Sequence, residues 1–144
     1  VGSGILLEKM KQIVQEKSLS QSVFFLGFRK DIPELLAASD CLVLCSKVEG
    51  VPGVILEAGT QKIPSISTNV GGVSEVLIDG QTGFLIENFD KKEFKEKLIE
   101  LMRNSELRNF LGDNSFNMIS KGFDPEINAK KFENLYRKLI FSKK

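Results

Sequence analysis

The chain has 144 residues, 42% of them hydrophobic and 27% charged, which is typical of one soluble globular domain. Twenty basic residues against nineteen acidic ones leave a net charge of +1, so the overall charge does not favour nucleic acid as a partner. The chain contains no histidine, which excludes imidazole general bases, Ser-His-Asp machinery and histidine-ligated metal sites.

The chain opens on Val1 and a Gly-Ser-Gly turn that leads into a predicted helix over residues 5–17. In that helix Leu6, Met10, Ile13 and Val14 form one apolar stripe. Val1 has the character of a strand's last residue, so we expect a fragment that lacks its first strand–helix unit. The Gly-x-Gly is equally typical of a plain strand-to-helix turn, and without a third glycine it is no dinucleotide fingerprint.

Four short apolar runs without polar alternation are typical of strands buried on both faces: residues 23–27, 41–46, 64–68 and 83–86. Helix-period segments follow them, at residues 31–38, where Asp31 is a candidate cap, and at 52–61, 90–104 and 105–120. Asp124 and Pro125 then begin a predicted helix over residues 126–141. This alternation predicts a single α/β domain over residues 1–144, a Rossmann-like parallel sheet flanked by helices.

The two cysteines, Cys41 and Cys45, lie in the second apolar run. Residues four apart in a strand have Cα atoms about 13 Å apart, whereas a disulfide needs less than about 7 Å. We therefore expect two reduced core thiols. Because neither a signal peptide nor an apolar run of spanning length is visible, we expect a cytoplasmic protein.

The segment "EGVPGVILE", residues 49–57, carries the strongest functional signal. It follows a predicted strand, and ligands of open parallel sheets bind beyond the carboxyl ends of the strands. Pro52 suits the first helical position, so the helix start would present the N–H groups of Gly53, Val54 and Ile55 with the positive end of its dipole. Such a terminus binds anions, and a diphosphate fits it.

Two carboxylates bracket this segment. Glu57 lies in an almost wholly apolar stretch, where a charge is costly unless it is paired or faces a polar crevice. An ionised carboxylate accepts two hydrogen bonds side by side, which suits the vicinal diol of a ribose. The alternative is a surface glutamate that pairs with Lys62 or Gln61.

The C-terminal region is locally basic. Its acidic residues, Asp124, Glu126 and Glu133, are outnumbered by Lys121, Lys130, Lys131, Arg137, Lys138, Lys143 and Lys144. Such a run is most often a solvated helix face, and peripheral contact with the inner face of a membrane is the alternative.

Several ordered motifs together resemble the C-terminal domain of GT-B glycosyltransferases of the family 4 type, from residue 1 to about residue 141. "EGVPGVILEA" matches the Glu-x7-Glu signature of that family. "TNVGGVSEVLIDGQTGFLI" matches the segment after it, and "VFFLGFRKDIPELLAASDCLVLCS" matches the run before it. The resemblance implies an enzyme that takes a nucleotide-diphosphate sugar as donor and transfers the sugar with retention, with no metal ion and no cofactor.

The resemblance also implies roles for individual residues. Glu49 would contact the hydroxyls of the donor sugar near the reacting carbon, and Glu57 would hold the ribose. The loop and helix start at Gly50, Val51, Gly53 and Val54 would receive the diphosphate. The base would lie against Phe28, Arg29 and Asp31, and the pair Gly71 and Gly72 would form a close-approach turn, for which a purely structural role is an equal alternative.

The chain departs from the family pattern at some positions. The Arg and Lys that usually clamp the phosphates would fall before residue 1, together with an N-terminal domain that binds a glycan, lipid or other hydroxyl acceptor. We therefore expect the chain alone to turn over little or nothing. Lys62 stands where a glycine is common, and Val51 replaces a phenylalanine.

Three other function classes remain open from the residues alone. A GT-B sugar-nucleotide epimerase would share the fold, and a non-catalytic α/β binding module would need no catalytic residues. A glycoside hydrolase would need two carboxylates facing each other at about 5–9.5 Å.

Overall fold

The computed structural model describes residues 1–141; Lys143 and Lys144 lie outside the described residues. These residues form two compact units, Val1–Ile32 and a second one that begins at Pro33. The prediction of a single domain over residues 1–144 stays an expectation.

In the first unit, helix α1 (Leu7–Glu16) confirms the helix predicted over residues 5–17. No α1 residue is buried: Ile13 and Val14 are half-buried, and Met10 is exposed. The strand predicted at residues 23–27 is wrong. A strand needs a neighbouring strand to accept and donate its backbone hydrogen bonds, and an apolar run does not by itself provide one. Phe24, in the middle of this run, is 71% exposed.

The second unit is built on a three-stranded parallel sheet in the order β1 (Leu42–Leu44), β2 (Ser65–Thr68) and β3 (Gly83–Ile86). Val43 pairs with Ile66, and Ile66 pairs with Phe84. All four residues of β2 are buried, as expected for the central strand of a parallel sheet covered on both faces. Three of the four predicted strands are thus confirmed.

The described residues include six α-helices. After α1 come α2 (Ile32–Ala37), α3 (Gly53–Thr60), α4 (Lys91–Arg103), α5 (Ser105–Gly122) and α6 (Pro125–Phe141). Asp90 caps α4 by accepting from Lys92 N–H and Glu93 N–H, and Asn104 caps α5 by accepting from Leu107 N–H. Asp124 accepts from Glu126 N–H and Ile127 N–H, which confirms the predicted cap and first-turn proline of α6.

The core lies on both faces of the sheet, because alternate strand residues point to opposite sides. On one face Ile66, Phe84 and Ile86 pack against Leu101 of α4 and Leu111 of α5. On the other face Leu42, Leu44 and Leu85 pack against a cluster formed by Ile55 of α3 with Val73, Val76 and Leu77. The result is the expected α/β fold with helices on both sides of a parallel sheet.

One of the two cysteines differs from the prediction that both are core thiols. Both are free, and Cys41 is half-buried against the core, as predicted. Cys45 is exposed, because it follows β1 instead of lying within it. Partial burial raises the pKa of both thiols, and the neighbouring Asp40 carboxylate raises the pKa of Cys41 further.

None of the helices within residues 1–141 combines the length and apolar character needed to cross a lipid bilayer.

Candidate functional site

The site is built at the carboxyl end of β1, where the loop of residues 45–52 leads into α3. Thr68, the last residue of β2, donates its hydroxyl to the carbonyl of Ser46 at 2.6 Å. This hydrogen bond ties the start of the loop to the neighbouring strand, so the loop leaves the sheet in a fixed direction. Sequence reasoning missed this threonine, although a hydroxyl residue at the carboxyl end of a buried strand was a visible signal.

The glycine pair holds the far side of the loop. Gly71 has a φ of 55°, and a Cβ there would lie 1.9 Å from the carbonyl oxygen of Glu49. Gly72 donates its N–H to the carbonyl of Gly50 at 2.9 Å. The close approach at this turn is made by the backbone of the 49–50 loop, which is the structural alternative, and contact of the pair with a donor stays a prediction. The pair positions the loop whatever else it contacts.

The start of α3 has the free amides that an anion site needs. Pro52 precedes the helix with an extended backbone (φ −74°, ψ 109°) and makes no side-chain cap. Gly53 and Val54 are the first two helical residues, so their N–H groups have no partner within the helix. Gly53 is exposed, and a Cβ built on it would meet no atom within 4 Å.

Two details of the predicted helix start are corrected. Pro52 is the residue before the helix, not its first residue. Ile55 donates its N–H to the carbonyl of Pro52 at 3.2 Å, so this amide is not available to a ligand. The capping turn thus leaves two amides, those of Gly53 and Val54, where three were predicted.

Glu57 lies four residues after Gly53, which places both on one face of α3, about 6 Å apart along the helix axis. In a helix the Cα–Cβ bonds tilt towards the N-terminus, so the side chain of Glu57 starts in the direction of Gly53. Glu57 is exposed, although its neighbours Ile55 and Ala58 are buried. Glu57 is thus a surface glutamate, as the alternative interpretation had it, but among the described residues its carboxylate pairs with neither Lys62 nor Gln61, and Lys62 makes its ion pair with Asp113 at 2.9 Å.

The remaining loop residues also face solvent to different degrees. Glu49 is half-buried, and Val51 is 49% exposed with its Cγ2 near Gly72. Glu75, which sequence reasoning missed, lies beside the same turn, with its Oε1 3.3 Å from a Cβ built on Gly72. The structure thus brings all eight predicted site residues of the second unit to one loop–helix junction: Glu49, Gly50, Val51, Gly53, Val54, Glu57, Gly71 and Gly72.

The three residues predicted to edge the base lie in the first unit. Arg29 donates from Nε to Asp31 Oδ1 at 2.7 Å and from its terminal nitrogen to Asp31 Oδ2. This bidentate pair lowers the pKa of Asp31 and raises that of Arg29, mainly through the hydrogen bonds. Asp31 directly precedes α2, but Arg29 occupies both of its oxygens. Phe28 is 75% exposed.

Lys62 follows α3 with a left-handed backbone (φ 58°), which is the conformation expected at a position where glycine is common. Its carbonyl lies against α5, because a Cβ on Gly112 would come within 2.0 Å of the Lys62 oxygen. The turn at Lys62 therefore keeps a left-handed backbone, although it carries a side chain. Among residues 1–141, no cluster of Cys, Asp or Glu side chains is arranged to hold a metal ion.

The model of the family described as "Glycosyl transferases group 1" matches residues 1–118. The chain belongs to this family. Within it, the chain is a domain of the C-terminal, GT-B type, as the motifs predicted. A crystal structure of the C-terminal domain of a group 1 glycosyl transferase protein (LpcC) from Francisella tularensis has a TM-score of 0.75 and 27% identity, covering 83% of this chain and 63% of that one.

Two further relatives of this group 1 domain are informative. The UDP-Gal:alpha-D-GlcNAc-diphosphoundecaprenol alpha-1,3-galactosyltransferase of Escherichia coli is 35% identical over 144 residues, or 99% of this chain. The Anabaena protein Alr3699/HepE, solved in complex with UDP and glucose, has a TM-score of 0.82 and 26% identity over 94% of this chain. The chain spans 37% of the first protein and 39% of the second.

Proposed function

We propose that this group 1 domain binds the UDP moiety of a UDP-sugar at the start of α3. The observation that carries the proposal is the arrangement of Gly53 and Glu57 on one exposed helix face, with two free amides at the helix end. The amides of Gly53 and Val54 bind the diphosphate, and the absence of a side chain at Gly53 lets the phosphates approach the backbone.

Glu57 binds the ribose. Its carboxylate accepts hydrogen bonds from both vicinal hydroxyls, and the rise of about 6 Å from Gly53 matches the step from a diphosphate to its ribose. Uracil as the base is supported by relatives whose names or structures carry UDP. Contact of the base with Phe28, Arg29 and Asp31 stays a prediction from the sequence.

Glu49 acts on the donor sugar. A carboxylate near the anomeric carbon stabilises the positive charge of an oxocarbenium-like transition state, and it does so without a metal ion or cofactor. In the proposed reaction the bond between the sugar and UDP breaks, an acceptor hydroxyl takes the sugar with retention, and UDP leaves. The glycan, lipid or other hydroxyl acceptor binds mainly to a further N-terminal domain, so the isolated chain binds donor but does not turn it over.

The test is thermal unfolding of the chain with UDP, GDP, ADP or uridine. A ligand at ten times its Kd stabilises the folded state by about 1.4 kcal/mol, which raises the Tm of a domain of this size by roughly 4 °C. UDP should give this shift, and uridine, which lacks the diphosphate, should give none at the same concentration. Equal shifts with UDP and uridine would show that the helix start does not bind phosphate.

The alternative functions, an epimerase and a non-catalytic module, would give different experimental results. An epimerase joined to its N-terminal domain would convert the sugar of the UDP-sugar without any acceptor, whereas the transferase releases UDP only when acceptor is present. A module with no donor site would show no Tm shift with any nucleotide at millimolar concentration.

A further inference from the structure

The hydrogen bond from Thr68 to Ser46 begins where the backbone ladder between β1 and β2 stops. The last paired residues of these two strands are Leu44 and Ser67. Beyond Leu44 the chain enters the loop of residues 45–52, and the Thr68 hydroxyl supplies the next link by donating to the Ser46 carbonyl at 2.6 Å. Thr68 is 4% exposed, so its hydroxyl is largely shielded from water and this bond has little competition.

Two hydrogen bonds therefore hold the part of the loop that carries Glu49. Thr68 holds its start, and Gly72 holds its end by donating its N–H to the Gly50 carbonyl at 2.9 Å. Between these two points Val48 is 85% exposed, so side-chain packing contributes little to the position of the backbone. The place of the Glu49 carboxylate thus depends on the two bonded ends and on the glycine turn.

The helix α3 is held by different contacts. Ile55 and Ala58 are buried at 1% and 0% exposure. Gly59 packs against α5, because a Cβ built on it would lie 2.1 Å from a side-chain carbon of that helix. Since these contacts fix α3 through its buried face, loss of the Thr68 bond should release the first half of the loop and leave the start of α3 in place.

We propose that Thr68 is a positioning residue for the donor sugar, because its hydroxyl fixes the first half of the loop and with it the Glu49 carboxylate. The inference rests on the proposed function, in which Glu49 contacts the sugar and the start of α3 binds the UDP moiety. It assigns the two parts of the donor to two separately held parts of the site. The sugar contact depends on Thr68, whereas the UDP contact does not.

Three variants test this assignment. Thr68→Val keeps the branched shape of the side chain and removes the hydroxyl, and Thr68→Ser keeps the hydroxyl. Ser67→Ala is the matched control, because Ser67 donates its buried hydroxyl to the Thr68 carbonyl at 3.1 Å and does not bond the loop. Isothermal titration measures the affinity of each chain for UDP, UDP-glucose, UDP-galactose and UDP-N-acetylglucosamine. The ratio of the affinity for the sugar nucleotide that the unmodified chain binds most tightly to the affinity for UDP gives the contribution of the sugar.

Thr68→Val should lower this ratio about 3- to 10-fold and leave the affinity for UDP unchanged, since one net hydrogen bond corresponds to about tenfold at most in an equilibrium constant. Thr68→Ser and Ser67→Ala should keep the ratio of the unmodified chain, whatever stability each of them loses. An unchanged ratio in Thr68→Val, an equal loss in either of the other variants, or an unmodified chain that gains no affinity from any sugar would overturn the proposal.

A measurement without ligand separates this proposal from the proposed function. In amide NMR of the 15N-labelled chain, Thr68→Val should shift the signals of Val48 and Glu49 and leave that of Val54 in place, and Thr68→Ser should shift none of the three. Loop signals that do not move would overturn the proposal even if UDP binds. A chain that shows these shifts but binds no UDP would overturn the donor assignment, while the anchoring of the loop by Thr68 stands. Thr68→Ala removes the same hydroxyl and carries the same expectations if the valine variant does not fold.

Discussion

Replacement of Gly71 by alanine tests whether the glycine turn positions the loop of residues 45–52. The new Cβ would lie 1.9 Å from the Glu49 carbonyl oxygen, and contacts under 3.0 Å force a shift, so the loop must move by more than 1 Å. A displaced loop moves the Gly53 and Val54 amides away from the diphosphate. Each hydrogen bond from an amide to a charged group is worth about 1.5–3 kcal/mol, so the loss of one weakens UDP binding about 10- to 100-fold.

Gly80→Ala is the matched control for this variant. Gly80 has a φ of 66°, close to that of Gly71, but a Cβ on it meets nothing within 4 Å. Both variants lose about 1–2 kcal/mol of stability from the left-handed backbone, and Gly71→Ala loses more because of the contact with Glu49; urea unfolding measures both losses. Isothermal titration with UDP should then separate them, with Gly80→Ala unchanged. If Gly71→Ala binds UDP as tightly as Gly80→Ala does, the turn does not position the site.

The remaining predictions concern the site, the core and a thiol. Gly53→Ala should keep the Tm, because its Cβ meets open space, yet bind UDP at least tenfold more weakly by titration; unchanged affinity would place the phosphates elsewhere. Glu57→Ala should weaken UDP binding while Glu96→Ala, an exposed α4 control, does not; equal affinities would remove Glu57 from the ribose site. Leu101→Ala, at a fully buried core position, should lose about 2–5 kcal/mol in urea unfolding, and a loss under 1 kcal/mol would contradict the packing of α4 on the sheet. Because burial raises the pKa of Cys45, its alkylation by iodoacetamide should be slow at neutral pH and accelerate as pH rises past the ordinary thiol pKa; fast labelling at pH 7 would contradict this.

Much of the second unit could be predicted from the sequence because its signals are local. The run at residues 83–86 is the strand Gly83–Ile86, and Asp90, Asn104 and Asp124 mark three helix starts with their own side chains. Apolar runs and caps act over a few residues, so a pattern is enough to place them.

The errors arose where a hydrogen-bond partner that the sequence pattern does not reveal decides the structure. Residues 23–27 are apolar, but a strand exists only if another strand takes up its hydrogen bonds. The sequence pattern assigned the Ile55 amide to a ligand. In the structure this amide donates to the Pro52 carbonyl, and the turn geometry that brings the two together is not visible in the sequence. The Thr68 hydrogen bond to Ser46 joins residues 22 positions apart, which no local pattern shows.

The site itself was predictable in outline, because Pro52, Gly53 and Glu57 lie within six residues of each other and a helix fixes their relation. What the sequence could not show is that Gly71 packs against the Glu49 backbone, since the two segments are joined only through the sheet. That contact gives the glycine pair a structural role, because the pair supports the loop of residues 45–52.

The most direct test of the central claim is amide NMR of the 15N-labelled chain during titration with UDP and with uridine. If the start of α3 binds the diphosphate, the Gly53 and Val54 amide signals should shift with UDP and stay in place with uridine at equal concentration. UDP-induced shifts that spare both amides and cluster elsewhere in the chain would contradict the account.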